Sequence, residues 1–436
     1  NNMIDKIRLA TLKNEAISIL NRNSRGNFTK PAPRLYPHQW NWDSGFIAIG
    51  LSHYDREKAK KELLSLKRGQ WRNGMIPHII FDPRCADYQP GPSSWGCSKS
   101  LDSSENVLTS GITQPPILAL AAYEIYKNSK NKISAKEFLN QIFPILKKYH
   151  RFFYLHRDPK HEGLACIVHP WESGLDNSPR WDKSLNRLPL KQFSSYKRVD
   201  TDVVPIEQRP GNDDYDKYYY LIQLLRKEKY NFDSIFERSE FIIQPILFNS
   251  LMVSSLHSLR EIGKIIGEDT SEISDWIHKT KRAINTKLWN KEKSVYGDYD
   301  LKNNKLILKD TIANYSPLFA GIVPSDRINF LLKNLFSTKK YTPKNGYPFC
   351  SVSMSEKDFD PVRYWRGPVW INMNWLIYRG LKNYNFYKKA EELKDKTLEL
   401  VSRSGFYEYF DPFIGKGYGA NNFSWTASLV IDFIKS

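Results

Sequence analysis

The sequence predicts an all-α protein, either an α-solenoid or a closed barrel of paired helices. Apolar residues recur at helical spacing in successive pairs of segments joined by short links. Within many pairs one segment is apolar or rich in small residues and the next is more charged, which indicates inner and outer helices. Strand candidates are few and short. Because no linker rich in Pro, Gly or Ser divides the chain, we expect residues 1–436 to form a single domain.

The individual helices follow from this periodicity. Residues 113–122 are apolar and rich in Ala, which favours an inner helix, whereas residues 139–149 are rich in Lys, which favours an outer helix with one solvated face. Two strands are predicted, at residues 76–81 and 305–308. The predicted helices cover residues 3–22, 44–53, 55–66, 113–126, 135–155, 213–225, 246–266, 273–288, 327–335, 367–381, 386–401 and 423–434.

Composition excludes several classes of function. The net charge of +18 would suit an anionic partner, but the Lys residues are scattered and no nucleic-acid motif accompanies them, so we expect no nucleic-acid partner. No apolar run approaches the roughly 18 residues of a membrane span, and residues 1–20 are typical of an amphipathic helix, not of a signal peptide. The four Cys residues lack metal-binding spacing. We therefore expect a reduced, cytoplasmic protein without metal or cofactor.

Five long loops hold most of the Trp, Tyr and acidic residues, and residues 169–182 are the most informative. This stretch contains three carboxylates and two Trp in 14 residues, and Gly174 and Pro179 mark it as irregular. Trp presents a flat face to a sugar ring, and a carboxyl held against Trp tends to have a raised pKa and can act as an acid. The other loops are residues 36–43, 69–95, 364–370 and 405–419.

Glycoside hydrolysis requires two carboxyls on either side of the scissile bond, one protonated and one ionised. Asp176 and Glu408 are candidates, although residue types alone also allow a helix cap or a salt bridge for each. Arg209 is either a surface ion pair or a fork for a substrate carboxylate. For the His residues beside Pro in these loops, hydrogen bonds to backbone are favoured over catalysis. Ser173 lacks the GxSxG context, which argues against a serine hydrolase.

Several loop motifs resemble those of glycoside hydrolase family 63. They are Trp-Glu-Ser-Gly-Leu-Asp at 171–176, Trp-Arg-Gly-Pro-Val-Trp at 365–370 and Phe-Tyr-Glu-Tyr-Phe-Asp-Pro at 406–412. Residues 36–44 and 69–78 are similar to the bacterial mannosylglycerate and glucosylglycerate hydrolases of that family. The resemblance extends from about residue 30 to the C-terminus. It implies an (α/α)6 barrel whose long loops form a lid over a central pocket, and an inverting α-glycosidase.

The resemblance also implies roles for particular residues. Asp176 would be the general acid and Glu408 the general base. The sugar would be bound by Trp42, Asp43, Phe46, Trp365 and Trp370, and Trp171 and Tyr364 would also bind the substrate. Glycerate would be bound by Tyr36, Trp40, Tyr88, Gln114, Arg209 and Tyr215. Residues 55–100 and 183–212 would be active-site loops that close over the substrate.

The expected partner is a small, anionic glycoside, glucosylglycerate or mannosylglycerate, and the sequence does not distinguish gluco from manno. Two alternatives remain at this stage. One is an α-glucosidase of the same fold that acts on a neutral oligosaccharide or on glucosylglycerol. The other is a carbohydrate-binding α-toroid without activity. Exposed aromatic loops are also compatible with a homo-oligomer.

Overall fold

Six helices form a closed inner ring in the computed structural model, which describes residues 5–190 and 195–436. Each of these helices packs against the next in chain order, and the last packs against the first. Every residue of the first inner helix is buried, as expected for a helix surrounded on all sides. The inner helices are α2 (Asn41–Leu51), α5 (Leu118–Asn128), α10 (Ile246–Ile266), α12 (Ser316–Ala320), α14 (Ile371–Asn383) and α16 (Ser424–Lys435).

A second set of helices surrounds this ring and is amphipathic. Helix α11 is typical, since it buries Ile273, Trp276, Ile277 and Ile284 on one face and is otherwise polar. Helix α1 packs against α16, α11 against α10, and α15 against α14. The outer helices are α1 (Lys6–Arg22), α3 (Arg56–Leu64), α6 (Lys132–His156), α11 (Ser271–Lys287), α13 (Ser325–Leu335) and α15 (Tyr387–Ser404). The two rings confirm the predicted (α/α)6 barrel.

Two predicted helix starts lie at least four residues too early, and a proline or a loop contact explains each. The helix predicted from residue 113 begins only at Leu118, because a proline disfavours the helical conformation of the residue before it, and Pro115 and Pro116 directly follow Gln114. The helix predicted from residue 367 begins at Ile371, because Val369 instead pairs with Cys350 and Phe410 in isolated β-bridges. Four helices were not predicted: α4 (Pro92–Trp95), α7 (Asp182–Leu185), α9 (Phe232–Arg238) and α12. Helix α8 spans Asn212–Lys227, close to its predicted bounds.

The strands are short and antiparallel, and they lie within the loops. The predicted strand at 76–81 is reduced to Ile79–Ile80, which pairs with Gln39–Trp40 and joins two of the aromatic loops. The predicted strand at 305–308 is present as Lys305–Ile307. The strands are β1 (Gln39–Trp40), β2 (Ile79–Ile80), β3 (Ile243–Gln244), β4 (Trp289–Asn290), β5 (Val295–Tyr296), β6 (Asp298–Asp300), β7 (Lys305–Ile307), β8 (Tyr409–Phe410) and β9 (Gly417–Tyr418), in sheets β1-β2, β3-β6-β7, β4-β5 and β8-β9.

The aromatic loops meet at the end of the ring where the inner helices begin. Helix α2 begins directly after Trp40, α14 directly after Trp370 and α16 directly after Phe423, and all three preceding residues line one cavity. The barrel therefore supplies a fixed rim on which the loops carry the candidate site. Over residues 5–190 and 195–436, no helix combines the length and apolar character that a membrane span requires.

Candidate active site

One cavity at this end of the barrel brings the predicted site residues together. All of them line it except Phe46. Phe46 is fully buried and lies behind the cavity wall, with its ring edge-on to Trp42 and Trp425. Phe46 lies about one helical turn after Trp42 in α2, so its ring packs against the Trp42 ring on the side away from the cavity. The cavity is lined by Pro31, Tyr36, Trp40, Trp42, Asp43, His78, Tyr88, Gln89, Pro90, Gln114, Trp171, Gly174, Asp176, Arg209, Pro210, Tyr215, Tyr364, Trp365, Trp370, Glu408, Phe423 and Trp425.

Asp176 enters the cavity from a tight turn. A short 3₁₀ helix, Pro170–Ser173, ends at Gly174, which has φ of +76°. A Cβ at Gly174 would lie 2.5 Å from the Trp42 ring, so only glycine allows this turn to pass so close to that ring. The one side-chain hydrogen bond described for the carboxyl comes from the Tyr364 hydroxyl, 3.4 Å from Oδ2. Burial raises the pKa of Asp176 to about 8, so this carboxyl is protonated at neutral pH.

Glu408 has a more polar environment than Asp176. It directly precedes β8, and its Oε1 accepts a hydrogen bond from the Tyr36 hydroxyl at 2.7 Å. Its Oε2 accepts from the backbone N–H of Ala420 at 3.1 Å, and Arg209 Nη1 lies 4.0 Å from Oε1. Burial raises the pKa of Glu408 above its ordinary value, and Arg209 and the two hydrogen bonds offset this rise in part. The ionised form is therefore better supported at Glu408 than at Asp176.

Two tyrosines connect these carboxyls. The Tyr364 hydroxyl lies 3.4 Å from Asp176 Oδ2 and 3.3 Å from the Tyr36 hydroxyl, which lies 2.7 Å from Glu408 Oε1. The two oxygens can be no further apart than the summed lengths of these contacts. Asp176 Oδ2 and Glu408 Oε1 are therefore no further apart than roughly 9.5 Å, the upper end of the range in inverting glycosidases, so both can reach one glycosidic bond.

Asp43 is a third carboxyl in the same cavity. It lies in the first turn of α2, and the backbone N–H of the adjacent Trp42 donates to Gln114 Oε1 at 3.1 Å. Burial raises the pKa of Asp43 well above its ordinary value, and the charges of Glu408 and Asp176 raise it further. The three carboxyls are thus electrostatically coupled, and ionisation of one opposes ionisation of the others.

Stacked aromatic rings form one wall of the cavity. The rings of Trp365 and Trp370 are parallel, with centroids 3.6 Å apart, and Trp370 also stacks on Tyr409 at 4.7 Å. The indole N–H of Trp370 donates to the Tyr364 carbonyl at 2.9 Å, and the backbone N–H of Trp365 donates to Asn177 Oδ1 at 2.9 Å. Such a fixed aromatic surface suits contact with the apolar face of a sugar ring.

Arg209 lies inside the cavity, so the alternative of a surface ion pair is wrong. Its side chain is 5% exposed. Nε donates to Asp200 Oδ2 at 3.0 Å, Nη1 donates to the Tyr36 hydroxyl at 2.8 Å, and the guanidinium carbon lies 4.3 Å from the centre of the Tyr364 ring. Burial lowers the pKa of Arg209, but the surrounding phenols and Asp200 outweigh burial and hold that pKa well above its ordinary value. A permanent positive charge therefore borders the cavity beside the candidate base.

Sequence reasoning missed some of the residues at this site. His78 was expected to be structural, yet it lines the cavity and stacks on Trp171 at 5.9 Å. Its place in the motif at 69–78 was the available signal. Phe423 and Trp425 line the cavity at the start of α16, where they pack edge-on at 4.9 Å. Asp200 carried no signal, because an acidic residue in a polar segment is ordinarily solvated.

Comparison with known proteins identifies the family. The family model described as the mannosylglycerate hydrolase MGH1-like glycoside hydrolase domain matches residues 36–426. The chain belongs to this glycoside hydrolase family. The match runs from Tyr36 to the first turn of α16, so it includes every residue that lines the cavity except Pro31.

Relatives in this family cover nearly the whole chain. A mannosylglycerate hydrolase of Thermus thermophilus is 41% identical over 418 residues, which are 96% of this chain and 99% of the relative. A glucosylglycerate hydrolase of Mycolicibacterium hassiacum is 32% identical over 96% of each chain. The crystal structure of a family 63 mannosylglycerate hydrolase from Thermus thermophilus, in complex with Tris and D-glycerate, superimposes with a TM-score of 0.92 at 40% identity, covering 98% and 100% of the two chains. The predicted resemblance to family 63 is confirmed.

Within 5–190 and 195–436, no three His, Cys, Asp or Glu side chains are grouped as metal ligands would be. A carboxyl that keeps its proton, a second carboxyl beside a guanidinium and an aromatic wall are the elements of acid–base glycoside hydrolysis.

Proposed function

We propose that this enzyme hydrolyses glucosylglycerate, mannosylglycerate or both to hexose and glycerate, with inversion at the anomeric carbon. The observation that carries the proposal is the position of Arg209. Its guanidinium lies in the same cavity as Asp176 and Glu408 and shares the Tyr36 hydroxyl with Glu408. A buried cation of this kind suits the carboxylate of an acidic aglycone.

In the proposed reaction Asp176 is the general acid. As the bond between the anomeric carbon and the glycosidic oxygen breaks, its electron pair goes to the oxygen, which takes the proton of Asp176 and leaves as the hydroxyl of glycerate. The pKa of about 8 keeps Asp176 protonated before the reaction. As the glycosidic bond breaks, the leaving oxygen becomes more basic than the Asp176 carboxylate, so the proton moves to that oxygen.

Glu408 is the proposed general base. It removes a proton from a water molecule on the opposite face of the sugar, and the oxygen of that water bonds to the anomeric carbon with inversion. Tyr36 and Ala420 N–H hold both carboxylate oxygens in place. After product release, Glu408 returns its proton to solvent and Asp176 regains one, which restores the starting state.

The remaining predicted residues divide between the two halves of the substrate. Trp42, Asp43, Trp365 and Trp370 border the proposed sugar side, with Asp43 accepting hydrogen bonds from sugar hydroxyls. Tyr36, Trp40, Tyr88, Gln114, Arg209 and Tyr215 border the proposed glycerate side. The names of the Thermus and Mycolicibacterium relatives and the D-glycerate in the Thermus crystal support glycerate as the aglycone.

A hydrolysis assay of the purified protein against glucosylglycerate, mannosylglycerate, glucosylglycerol and trehalose tests the proposal. Activity confined to the two acids is expected. Activity on a neutral substrate alone would contradict the glycerate assignment, and it would instead support the predicted alternative of a neutral α-glucosidase. No turnover of any glycoside would leave only the alternative of a carbohydrate-binding toroid, which the family membership argues against.

Substitution of Arg209 tests the acidic aglycone directly. Arg209→Ala should raise KM for the acids by about a hundredfold, since it removes a buried charge-assisted contact. Arg72→Ala, at an exposed ion pair with Glu105, is the matched control and should leave KM unchanged. Equal KM values for Arg209→Ala and the control would exclude a carboxylate clamp.

Three further predictions concern the loops, the location and the oligomeric state of the enzyme. We propose that the active-site loops at 55–100 and 183–212 close over the substrate. Tyr88, Gln89 and Pro90 of the first and Arg209 and Pro210 of the second line the cavity, while Arg56–Leu64 of the first forms α3 and residues 191–194 of the second lie outside the described residues. We also propose a cytoplasmic location, in keeping with four free Cys, and allow for a homo-oligomer.

A further inference from the structure

An ion-pair cluster of Arg198, Asp200 and Arg209 lies directly behind the proposed glycerate side. Asp200 is 6% exposed, and its carboxylate contacts both arginines. Arg198 approaches it as a fork, with Nε 3.0 Å from Oδ1 and Nη2 2.7 Å from Oδ2. Arg209 Nε shares Oδ2 at 3.0 Å. One buried carboxylate therefore bridges two guanidiniums that would otherwise repel each other.

Asp200 fixes Arg209 along the edge that faces away from Tyr36. With Nε bound to Asp200, Nη1 bound to the Tyr36 hydroxyl and the guanidinium plane over the Tyr364 ring, the side chain is held on two edges and one face. A guanidinium held in this way is oriented before any ligand arrives, so less conformational entropy is lost on binding.

Arg198 extends the same cluster to a second cavity residue. Its guanidinium carbon lies 3.7 Å from the centre of the Tyr215 ring, and its Nη1 donates to Asn212 Oδ1 at 3.0 Å. Tyr215 lies in the first turn of α8 and lines the cavity. The fork with Asp200 holds Arg198 over this ring, so Arg209 and Tyr215 both depend on one carboxylate.

Asp200 and Arg209 both stay ionised over the pH range of an assay. Burial alone would raise the pKa of Asp200, but the two guanidiniums hold that pKa well below its ordinary value, and Arg209 remains protonated. Asp200 is thus charged throughout the pH range of an assay. Two cations against one anion leave the cluster with a net positive charge on the side of the cavity.

We propose that Asp200 is a positioning residue that orients Arg209 and, through Arg198, Tyr215, and so determines the specificity of the site for an anionic aglycone. This inference rests on the proposed function, because it assigns Arg209 and Tyr215 to the aglycone carboxylate. Asp200 itself lies outside the lining of the cavity and acts through the two residues that it holds.

Orientation and net charge predict opposite effects when the charge of Asp200 is removed. If Asp200 only offset positive charge, its loss would leave the cavity more positive, and an anionic substrate would bind more tightly. If Asp200 orients Arg209, its loss frees two adjacent cations to move apart, and the same substrate would bind more weakly. The sign of the change in KM therefore separates the two accounts.

The experiment compares Asp200→Asn with Asp202→Asn. Asp202 is an exposed carboxyl in the same short 3₁₀ turn, Asp200–Asp202, so its substitution removes the same charge without touching the cluster. We expect Asp200→Asn to raise KM for the acidic substrates by at least about tenfold while kcat changes less than about threefold. Asp202→Asn should match the wild type in both.

Calorimetric titration with D-glycerate and with free hexose gives a readout independent of turnover. In Asp200→Asn the dissociation constant of D-glycerate should rise by about the same factor as KM, and that of the hexose should not change. Arg198→Lys, which keeps the charge but cannot form the fork, should give an intermediate value and covers the case in which Asp200→Asn fails to fold.

A KM in Asp200→Asn equal to or below that of Asp202→Asn would overturn the proposal, as would parallel weakening of D-glycerate and hexose. Failure of the proposed function has a different outcome, since the wild-type enzyme would then not hydrolyse either acid. The two failures are distinguished before any variant is made.

Discussion

Glu172 and Asp176 lie four residues apart in one loop, yet their environments are opposite. Glu172 is fully buried, and both its oxygens are bound: Arg157 donates to each, Thr113 N–H to Oε1 at 3.0 Å and Val168 N–H to Oε2 at 2.8 Å. Asp176 has the single described side-chain hydrogen bond from Tyr364. The first carboxyl fixes the loop to the barrel, and the second projects from the loop into the cavity.

This difference shows how a rigid loop can present a group that is poorly stabilised as an anion. A buried charge is tolerated when every oxygen has a partner, as at Glu172. Asp176 has too few donors, and burial keeps it protonated. The anchoring of Glu172 holds Asp176 in this unfavourable setting, which would otherwise relax by movement of the loop.

The largest effect should come from removal of the cavity carboxyls. Asp176→Ala and Glu408→Ala should each lower kcat by on the order of a thousandfold or more, because each removes a proton-transfer group. Steady-state kinetics with glycosylglycerate provides the measurement, and circular dichroism confirms folding. Turnover close to that of the wild type in either variant would contradict the assigned acid and base.

Glu172→Gln should instead act on stability. Leaving Arg157 buried without its carboxylate is expected to lower the free energy of unfolding by about 3–5 kcal/mol. Urea denaturation measures the loss. Glu105→Gln, at an exposed ion pair with Arg72, is the control and should cost less than about 1 kcal/mol. Similar values for the two variants would show that burial of the Glu172 pair is irrelevant.

Asp176→Asn, unlike Glu172→Gln, should increase the free energy of unfolding at neutral and alkaline pH. The folded protein keeps this proton to about pH 8, whereas the unfolded chain releases it near 3.8, so folding is progressively penalised as pH rises between these values. Asn removes the penalty, and because the penalty grows by about 1.4 kcal/mol for each pH unit between 3.8 and 7, the free energy of unfolding at pH 7 should rise by about 4 kcal/mol. Thermal unfolding of both proteins at pH 4.5 and pH 7.5 measures it. A gain independent of pH would argue against titration of Asp176.

A smaller effect is expected from Gly174→Ala, which alters the turn between the two carboxyls. The new Cβ would crowd the Trp42 ring, and the positive φ disfavours any side chain, so stability should fall by about 1–2 kcal/mol. Activity should fall as well, because Trp42 lines the cavity. Gly267→Ala, also at positive φ but with open space around it, isolates the crowding from the backbone strain.

Sequence reasoning recovered the elements with long-range periodicity and the residues inside motifs. The inner and outer helices longer than about ten residues carry enough apolar repeats to be identified. Helix α12 has only five residues, too few for a period to emerge, although it completes the inner ring. The start of α5 was placed too early because apolar spacing continues through Pro115 and Pro116 into the loop.

The roles predicted for individual residues of the site still require experiment. The sequence motifs did allow us to predict which residues would meet, because all of them except Phe46 line one cavity. Phe46 faces the protein interior because the helix turns it away from the rim, which a motif cannot reveal. Asp200 was missed because its importance comes from two arginines that fold back onto it. Tertiary contacts of this kind leave no local signature.

Closure of the inner ring has a consequence for how the protein is made. Helix α2 meets α16 across nearly the whole sequence, where Ser428 Oγ donates to the carbonyl of Phe46 at 2.7 Å and accepts from Gly50 N–H at 2.9 Å. During synthesis α2 leaves the ribosome long before α16 has been made, so the apolar surface of α2 stays exposed until then. The rings of Trp42 and Trp425, whose centroids are 5.3 Å apart in the folded protein, can meet only after α16 has been made. A nascent chain that lacks α16 would therefore have an open ring with exposed apolar surface, and it would depend on chaperones to avoid aggregation.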